Sequence, residues 1–360
     1  MEYASQITEM LETLICPAFT VESGIITHAN QAAQERGAMP SSSVSDLISI
    51  GAEEYTQYTS GKLCLTLSLH GIPYSAIVTR SGSYHLFCLE TEYVKPELRA
   101  FALAAQQLRE PLAAAISGTE QLLPITGIQE DSDARQQLGQ INRSLHQLLR
   151  AISNMSDAAQ YANCNVAHLQ VCELTGIFRE TLEKSSSLAA AAQRTLNYTL
   201  PKQAVYGPCD QEKLERAILN LVSNALKYTP NGGTINATVR QINNKLIFTI
   251  QNSGTGIRAD VQSNIFSRYL REPGLGDGKD GIGLGMSIVR SVAALHNGTV
   301  LMDQPENEGA RLTMTIAVKP VSDAVLRTPV MLPVDYTGGR DKALLELADV
   351  LPASIYENMD

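Results

Sequence analysis

Apolar residues change their spacing three times along this chain, and the changes divide it. Up to residue 95, short apolar runs such as Ala18 to Val21 and Ile25 to Ile26 are broken by turn residues. Polar helical stretches follow, then strand-like runs near 62–69, 73–79 and 84–90. Gly71 and the Ser81-Gly82-Ser83 cluster punctuate the last strands as hairpin turns. From Pro96 the spacing becomes helical. Leu98, Phe101, Ala105, Leu108, Leu112 and Ala115 recur at steps of three and four, and Leu138, Ile141, Leu145, Leu148, Ile152, Met155 and Ala159 repeat the pattern. Between them, Pro124 to Asp133 with Gly127 supplies a turn and a helix start. The two helices predict an antiparallel hairpin. A hairpin with such a seam and too little area for its own core predicts a homodimer closed as a four-helix bundle.

Residues from about 165 to 320 read as an α/β unit, with strand runs near 195–200, 234–240, 245–251, 298–302 and 310–317 and helices between them. Beyond Lys319-Pro320 the periodicity fades, apart from a helical run over Asp341 to Val350. The chain is therefore expected to be a multidomain α+β protein divided as 1–95, 96–163, 164–320 and 321–360, the last an extension of open role that could dock on the unit before it.

Composition narrows the function. The 360 residues are 44% hydrophobic, 18% charged and 5% aromatic, with no Trp, which fits globular, helix-rich modules. A net charge of -9 and a pI near 5.3 argue against nucleic acid or anionic lipid, both of which demand a basic face. The six cysteines (Cys16, Cys64, Cys88, Cys164, Cys172 and Cys209) lie far apart with no CxxC pair. They read as free thiols rather than a disulfide scaffold or zinc site. No apolar run approaches the roughly 18 to 20 residues that span a bilayer, and the N-terminus lacks a signal-peptide pattern. A cytoplasmic location is expected.

Three motifs carry chemistry. In Leu214 to Pro230, Asn220, Asn224, Lys227 and Tyr228 stand three or four residues apart, so two amides, an ammonium and an aromatic ring share one helix face. An amide oxygen is a hard ligand for magnesium, an ammonium meets phosphate, and a ring can lie against a purine. In Asp280-Gly281-Ile-Gly283-Leu284-Gly285, alternating glycines run into an apolar helix, a place where backbone and helix N-terminus can approach a phosphate. Upstream, Gly274 to Gly278 with Arg268, Arg271 and Lys279 has the look of a flexible lid. The third motif, Asn252-Ser-Gly254-Thr-Gly256-Ile257, is a strand end followed by a tight glycine turn. Each alone could be a capped helix or a plain turn; their ordered succession points to nucleotide.

The order of these motifs resembles the ATP-binding domain of histidine kinases, the Bergerat or GHKL fold, an α/β sandwich shared with gyrase, Hsp90 and MutL. The wording Asn220-Leu-x-x-Asn224-Ala-x-Lys227-Tyr228-Thr229-Pro230 is similar to the histidine kinase branch. The resemblance implies ATP and Mg2+ as cofactors. Asn224 would ligate magnesium with Asn220 in support, Lys227 would approach the phosphates, and Tyr228 would flank the adenine. Asn252, Gly254, Gly256 and Ile257 would border the base, and Gly281, Gly283, Leu284 and Gly285 the triphosphate. Ile265-Phe266-Ser-Arg268 resembles the family's phenylalanine box that hinges the lid, with Arg271 beyond it. The segment Gly24 to Ala33, a strand running into Asn30 and a short helix, resembles a PAS sensor domain; an α+β domain without a ligand is the alternative.

Two positions depart from the family. Where its members carry the phosphate-accepting histidine and then an acid, Leu-Arg-Thr-Pro-Leu, this chain reads Gln106-Gln107-Leu108-Arg109-Glu110-Pro111-Leu112. A carboxamide nitrogen has a delocalised lone pair and cannot attack phosphorus as a neutral imidazole can. The adenine-reading aspartate aligns with Asn252, which can still accept a hydrogen bond but without charge assistance. His146, on the second helix, is expected to face solvent; His28, His70, His85, His168 and His296 lie off the hairpin and read as structural. The resemblance thus implies a sensor kinase-like protein, with self-phosphorylation lost or impaired, that signals to a response regulator. A non-catalytic ATP-responsive dimer acting on a partner, or an ATP domain serving an intact kinase in a mixed dimer, are the other readings.

Overall fold

Alternation of apolar and polar residues in the first segment produces an antiparallel sheet. In a computed structural model, which describes residues 7, 9–14, 16–90, 96–161, 169–254, 284–305, 308–318 and 340–357, its strands are β1 (Ala18–Glu22), β2 (Ile25–Ala29), β3 (Ile48–Ile50), β4 (Lys62–Leu69), β5 (Ile72–Ser81) and β6 (Tyr84–Leu89). They run in the order β2-β1-β6-β5-β4, with β3 added on β4. Leu63, Leu65, Leu67 and Leu69 point to one face of β4 and build a core with Phe19 and Phe87, whose rings stack at 4.9 Å. Asn30 ends β2 and caps the short helix α1 (Gln31–Gln34). Its Oδ1 accepts from Ala33 N and Ala18 N, and its Nδ2 donates to the Leu11 and Cys16 carbonyls. One buried amide thus satisfies four backbone groups, which is what the strand-Asn-helix pattern calls for. Helix α2 (Ala52–Thr56) follows β3.

The hairpin forms from α3 (Pro96–Leu122), a short α4 (Thr126–Glu130) and α5 (Ser132–Tyr161), and α3 continues through Pro111. Its expected seam divides. Of its residues, Ala105 is buried, Leu112, Leu138, Leu145, Ile152 and Met155 are half-buried, and Leu108, Ile141 and Leu148 are 47–54% exposed, while Ile116, Leu123 and Leu149, outside the expected seam, are buried. The buried face of α5 is instead a polar one, comprising Asn142, His146, Arg150, Ser153 and Asn154. His146 therefore does not face solvent as expected. Its Nδ1 lies 2.8 Å from the Asn142 carbonyl and its ring 5.0 Å from that of Tyr356. Helical periodicity picked the apolar stripe, whereas the face that is buried is the polar one beside it, covered by an element from the far C-terminus.

In the third unit, β8 (Thr195–Thr199), β10 (Thr234–Ile242), β11 (Lys245–Asn252), β12 (Val300–Asp303) and β13 (Arg311–Ala317) form a sheet ordered β12-β13-β11-β10-β8, and β7 (Gln170–Glu173) pairs with β9 (Tyr206–Cys209). Helices α6 (Leu174–Ala191), α7 (Gln211–Lys227) and α8 (Gly285–Leu295) pack on this sheet, with Phe178, Leu221, Phe248 and Ile288 in the shared core. The result is the two-layer α/β sandwich that the strand and helix pattern predicts.

The N-terminal and α/β sheets are hydrogen-bonded into one sheet of 11 strands, because β12 pairs antiparallel with β4 through Val300↔Cys64, Leu301↔Leu63 and Met302↔Lys62. Strand β3 covers the other part of that β4 edge, so each sheet loses an open edge in the union. Cys64 points to the opposite face from the β4 leucines and enters the α/β core, and burial pushes its thiol up to about 12. Lys245 ties the units further, 2.8 Å from Glu54 and 3.0 Å from Glu53. Of the extension, α9 (Lys342–Glu346) and a 3-10 helix (Ala353–Glu357) dock on the hairpin and the α/β unit together.

Two buried histidines give the fold a pH dependence. His296 accepts from Asp210 N at Nε2 (3.1 Å), and its Nδ1–H meets the Val292 carbonyl (2.7 Å), so the neutral ring fits and a second N–H would oppose the Asp210 donor. Burial lowers the pKa of both His296 and His146 from 6.5. The unfolded chain then binds protons first. Their contribution to stability is present above pH 6.5 and is lost as pH falls below it toward the folded-state values. Thermal melts between pH 8 and 5 are expected to show this decline, and His296→Gln, which keeps an acceptor but cannot titrate, to flatten part of it.

Candidate functional site

Helix α7 brings the first motif together. Asp210 caps it, with Oδ1 accepting from Lys213 N, and Leu214, Ala217, Ile218, Leu221 and Ala225 turn into the core. The other face carries Asn220, Asn224, Lys227 and Tyr228, as their spacing requires. Asn220 is 1% exposed. Its Nδ2 donates back to the Arg216 carbonyl (2.9 Å), and its Oδ1 is buried without a hydrogen-bond partner among the described residues. Asn224 is partly exposed, and the Lys227 ammonium lies 5.6 Å from the Tyr228 ring centre.

The other two motifs meet this helix. Gly285 opens α8 directly against Asn220: a Cβ at that glycine would stand 2.6 Å from Asn220 Oδ1, so no side chain fits there. Leu284 precedes it, 8% exposed, with its carbonyl bonded by Ser287 Oγ (2.7 Å). At the end of β11, Asn252 Nδ2 donates to the Tyr228 carbonyl (3.1 Å), and Gly254 lies so close to that carbonyl that a Cβ would come within 1.9 Å. Asn252 Oδ1 is the second buried oxygen without a partner among the described residues. Its orientation follows from chemistry. A backbone carbonyl only accepts, so the NH2 group must face Tyr228 and the oxygen must face away.

The structure thus brings Asn220, Asn224, Lys227, Tyr228, Asn252, Gly254, Leu284 and Gly285 into one region. Gly256, Ile257, Phe266, Arg271, Gly281 and Gly283, with the lid reading of Arg268 to Lys279, lie outside the described residues. Gln106 stands in α3, five positions before Pro111, with its side chain outside the described set. Sequence reading missed Gly309, where a Cβ would come 2.6 Å from Asn252 Oδ1. A Glu-Gly pair between two strand runs marks a turn but does not say what the turn touches. It also missed Arg216, whose guanidinium reaches Asn154 on the hairpin (2.9 Å); a charged residue one turn before Asn220 on an apolar helix is the signal that could have found it.

The Asn252 amide makes a bond here that an aspartate could not. A carboxylate there would place an oxygen against the Tyr228 carbonyl oxygen and lose the bond that orients the side chain. Asn252→Asp is therefore expected to destabilise the fold by about 1–2 kcal/mol, read as a lower urea midpoint without nucleotide.

Along one face of α7, Gly285 thus meets Asn220 and Asn252 meets the Tyr228 carbonyl, each beside a buried oxygen without a partner among the described residues, on a fold of the two-layer α/β class. Residues 209–320 match the family described as histidine kinase-, DNA gyrase B- and HSP90-like ATPase. The chain is 28% identical over 235 residues to hybrid signal transduction histidine kinase D of Dictyostelium discoideum, covering 62% of this chain and 15% of that one. It is 27% identical to the sensor histidine kinase RppB of Synechocystis (60% and 48% covered). It is 29% identical to the adaptive-response sensory kinase SasA of Gloeothece citriformis (69% and 66%). The matched part therefore spans less than two thirds of each relative's length. A crystal structure of full-length ShkA in complex with AMPPNP superposes with a TM-score of 0.49 at 22% identity, covering 63% of this chain and 47% of that one. Residues 209–320 thus carry a histidine kinase-, DNA gyrase B- and HSP90-like ATPase domain, and the chain is similar to sensor histidine kinases.

Proposed function

We propose that the α/β unit binds ATP with Mg2+, and that the protein signals as a homodimer that has lost self-phosphorylation. The observation that carries the nucleotide reading is the pair of buried oxygens without a partner among the described residues, Asn220 Oδ1 and Asn252 Oδ1, where the other two motifs meet α7. Buried acceptors without donors are costly unless a ligand completes them. Asn252 Oδ1 suits an exocyclic amino group of a base. The Asn220 and Asn224 amides offer the oxygen donors that Mg2+ prefers, and Gly285 leaves room beside them. When bound, the nucleotide would supply a transferable γ-phosphoryl group, with positioning and charge neutralisation as the protein's share of the chemistry. Lys227 would neutralise phosphate charge, and Tyr228, 37% exposed, would present its ring to the base.

Loss of self-phosphorylation rests on Gln106 in an intact helical register. Dimerisation is supported by Leu108 and Leu122 on α3 and Ile141 and Leu148 on α5, spaced by multiples of seven and exposed. A second copy of the hairpin would bury them as a four-helix bundle. Residues 1–95, with their antiparallel sheet and Asn30-capped helix, would serve as a PAS-like sensor unit, and a response regulator or an intact histidine kinase is the partner class. The domain limits 1–95, 96–163 and 164–320 follow that division, and the action takes place in the cytoplasm.

Titration with a fluorescent ATP analogue tests the nucleotide reading. Binding that strengthens with magnesium is expected, and no binding in either condition would refute it. Incubation with γ-labelled ATP and magnesium separates the two signalling readings. Absence of acid-labile label on this chain, with nucleotide bound, supports the non-catalytic form; label on the wild-type chain refutes it.

A further inference from the structure

The apolar pattern of the last described segment does not explain its most buried residue. Leu345, Leu347, Ala348, Leu351 and Tyr356 are fully buried, but so is Glu346 among them. A carboxylate withdrawn from water requires cations to meet it. Two do, one from each side of the seam between hairpin and α/β unit. Arg150 of α5 places Nε 3.2 Å from Glu346 Oε2, and Arg216 of α7 places Nε 3.1 Å from Oε1. Both arginine side chains are themselves almost buried, at 8% and 3% exposure. Each also reaches across the seam, Arg150 to Ser223 Oγ (3.0 Å) and Arg216 to Asn154 Oδ1 (2.9 Å). Arg150 also pairs with Asp349 of the same tail, so the tail brings two carboxylates to a seam where two desolvated guanidinium groups meet. The tail's charge is what allows α5 and α7 to close on each other.

A second contact fixes the tail by shape. The 3-10 helix lies so close to Gly139 of α5 that a Cβ there would stand 2.9 Å from the Ala353 carbonyl. One turn along, the Tyr356 ring covers His146. A glycine in mid-helix weakens α5, and its use at the point where another backbone arrives fits a built receiving surface.

We infer that residues 340–357 are a clasp: an internal ligand, recognised through Glu346 and the Gly139 notch, whose docking holds the seam between the hairpin and the α/β unit closed. The inference does not depend on whether the α/β unit holds nucleotide. Helix α7 carries Asn220 and Asn224, so the clasp also sets where that face stands relative to the hairpin.

The test uses the full chain with a protease recognition sequence inserted within residues 321–339. After cleavage, the freed C-terminal piece is expected to co-elute with the body of the wild-type protein on gel filtration and to be lost from Glu346→Gln and from Gly139→Leu. Amide hydrogen exchange in 139–153 and 212–223 is expected to accelerate in the intact Glu346→Gln chain on the order of tenfold or more, because the buried carboxylate shared by α5 and α7 is gone. Gly139→Leu improves helix propensity, so loss of the tail there does not come from a weakened hairpin, and this variant decides the matter if Glu346→Gln fails to fold. Release of the piece from the cleaved wild type overturns the clasp, as does a Gly139→Leu chain that keeps it with exchange unchanged.

Discussion

Replacing Asn224 with alanine is expected to remove the magnesium-dependent part of ATP binding and to leave the fold intact. Asn224 is partly exposed and stands one turn beyond Asn220 on the open face of α7, where an amide oxygen can reach an ion held beside Gly285. Losing an oxygen donor from a magnesium site should weaken metal-assisted binding by roughly a hundredfold, at the upper end of what losing a supporting ligand does. Alanine is also the better helix former, so melting should stay constant or rise slightly. Isothermal titration with ATP, with and without magnesium, reads the effect. The variant should bind as the wild type does without the metal, and unchanged affinity in magnesium would remove Asn224 from the site. Asn220→Ala makes a poorer test, because Asn220 is buried and its Nδ2 is bonded to the Arg216 carbonyl.

The contrast between these two asparagines shows how far the sequence could be read. Their spacing placed both on one face of a helix, and that is where they lie. What spacing could not give was the difference in burial, because that is set by α8, whose first residue presses against Asn220 but not Asn224. The strand runs at 234–240, 245–251 and 310–317 were legible for the same local reason, alternation of apolar residues over a covered sheet. Asn252 was legible as a position but not as a partner. Its bond to the Tyr228 carbonyl joins residues 24 apart through two different elements.

The features that escaped share one physical cause, which is that they join segments far apart in sequence. Glu346 reads as one more polar residue of a solvated helix, and nothing within its own segment supplies the cations that draw it inside. His146 reads as exposed because it stands one residue past the seam position Leu145; it is buried under a tail some 210 residues away, where Asn142 donates to the Tyr356 carbonyl. Leu108, Ile141 and Leu148 were assigned to a seam, and within one chain they face outward. Local spacing reports a stripe but not what covers it, which the proposed dimer assigns to a second hairpin. The union of β4 with β12 left no trace in either strand, since edge pairing is backbone chemistry and does not select side chains.

That union makes the contact between the N-terminal unit and the nucleotide region the place for the largest stability effect. Arg290 of α8 is 3% exposed and forms an ion pair with Glu90, the residue that follows β6 and precedes the hairpin. Burial alone would lower the arginine's pKa, but the Glu90 carboxylate and Cys64 outweigh it and hold the pKa above its ordinary value, so the group stays charged. Glu90→Gln would leave that charge buried without its counter-ion, a loss of about 3–5 kcal/mol. Urea denaturation followed by fluorescence of the tyrosines is expected to show it as a much lower midpoint. The double variant Glu90→Leu with Arg290→Met removes both charges and keeps apolar bulk, and it should recover most of the loss. Because Arg290 sits on the helix that Gly285 opens, the same single variant should also weaken nucleotide binding, whereas the double variant should restore it. Equal stability of Glu90→Gln and wild type would mean that the sheet pairing and the Lys245 ion pairs hold the two units together without this contact.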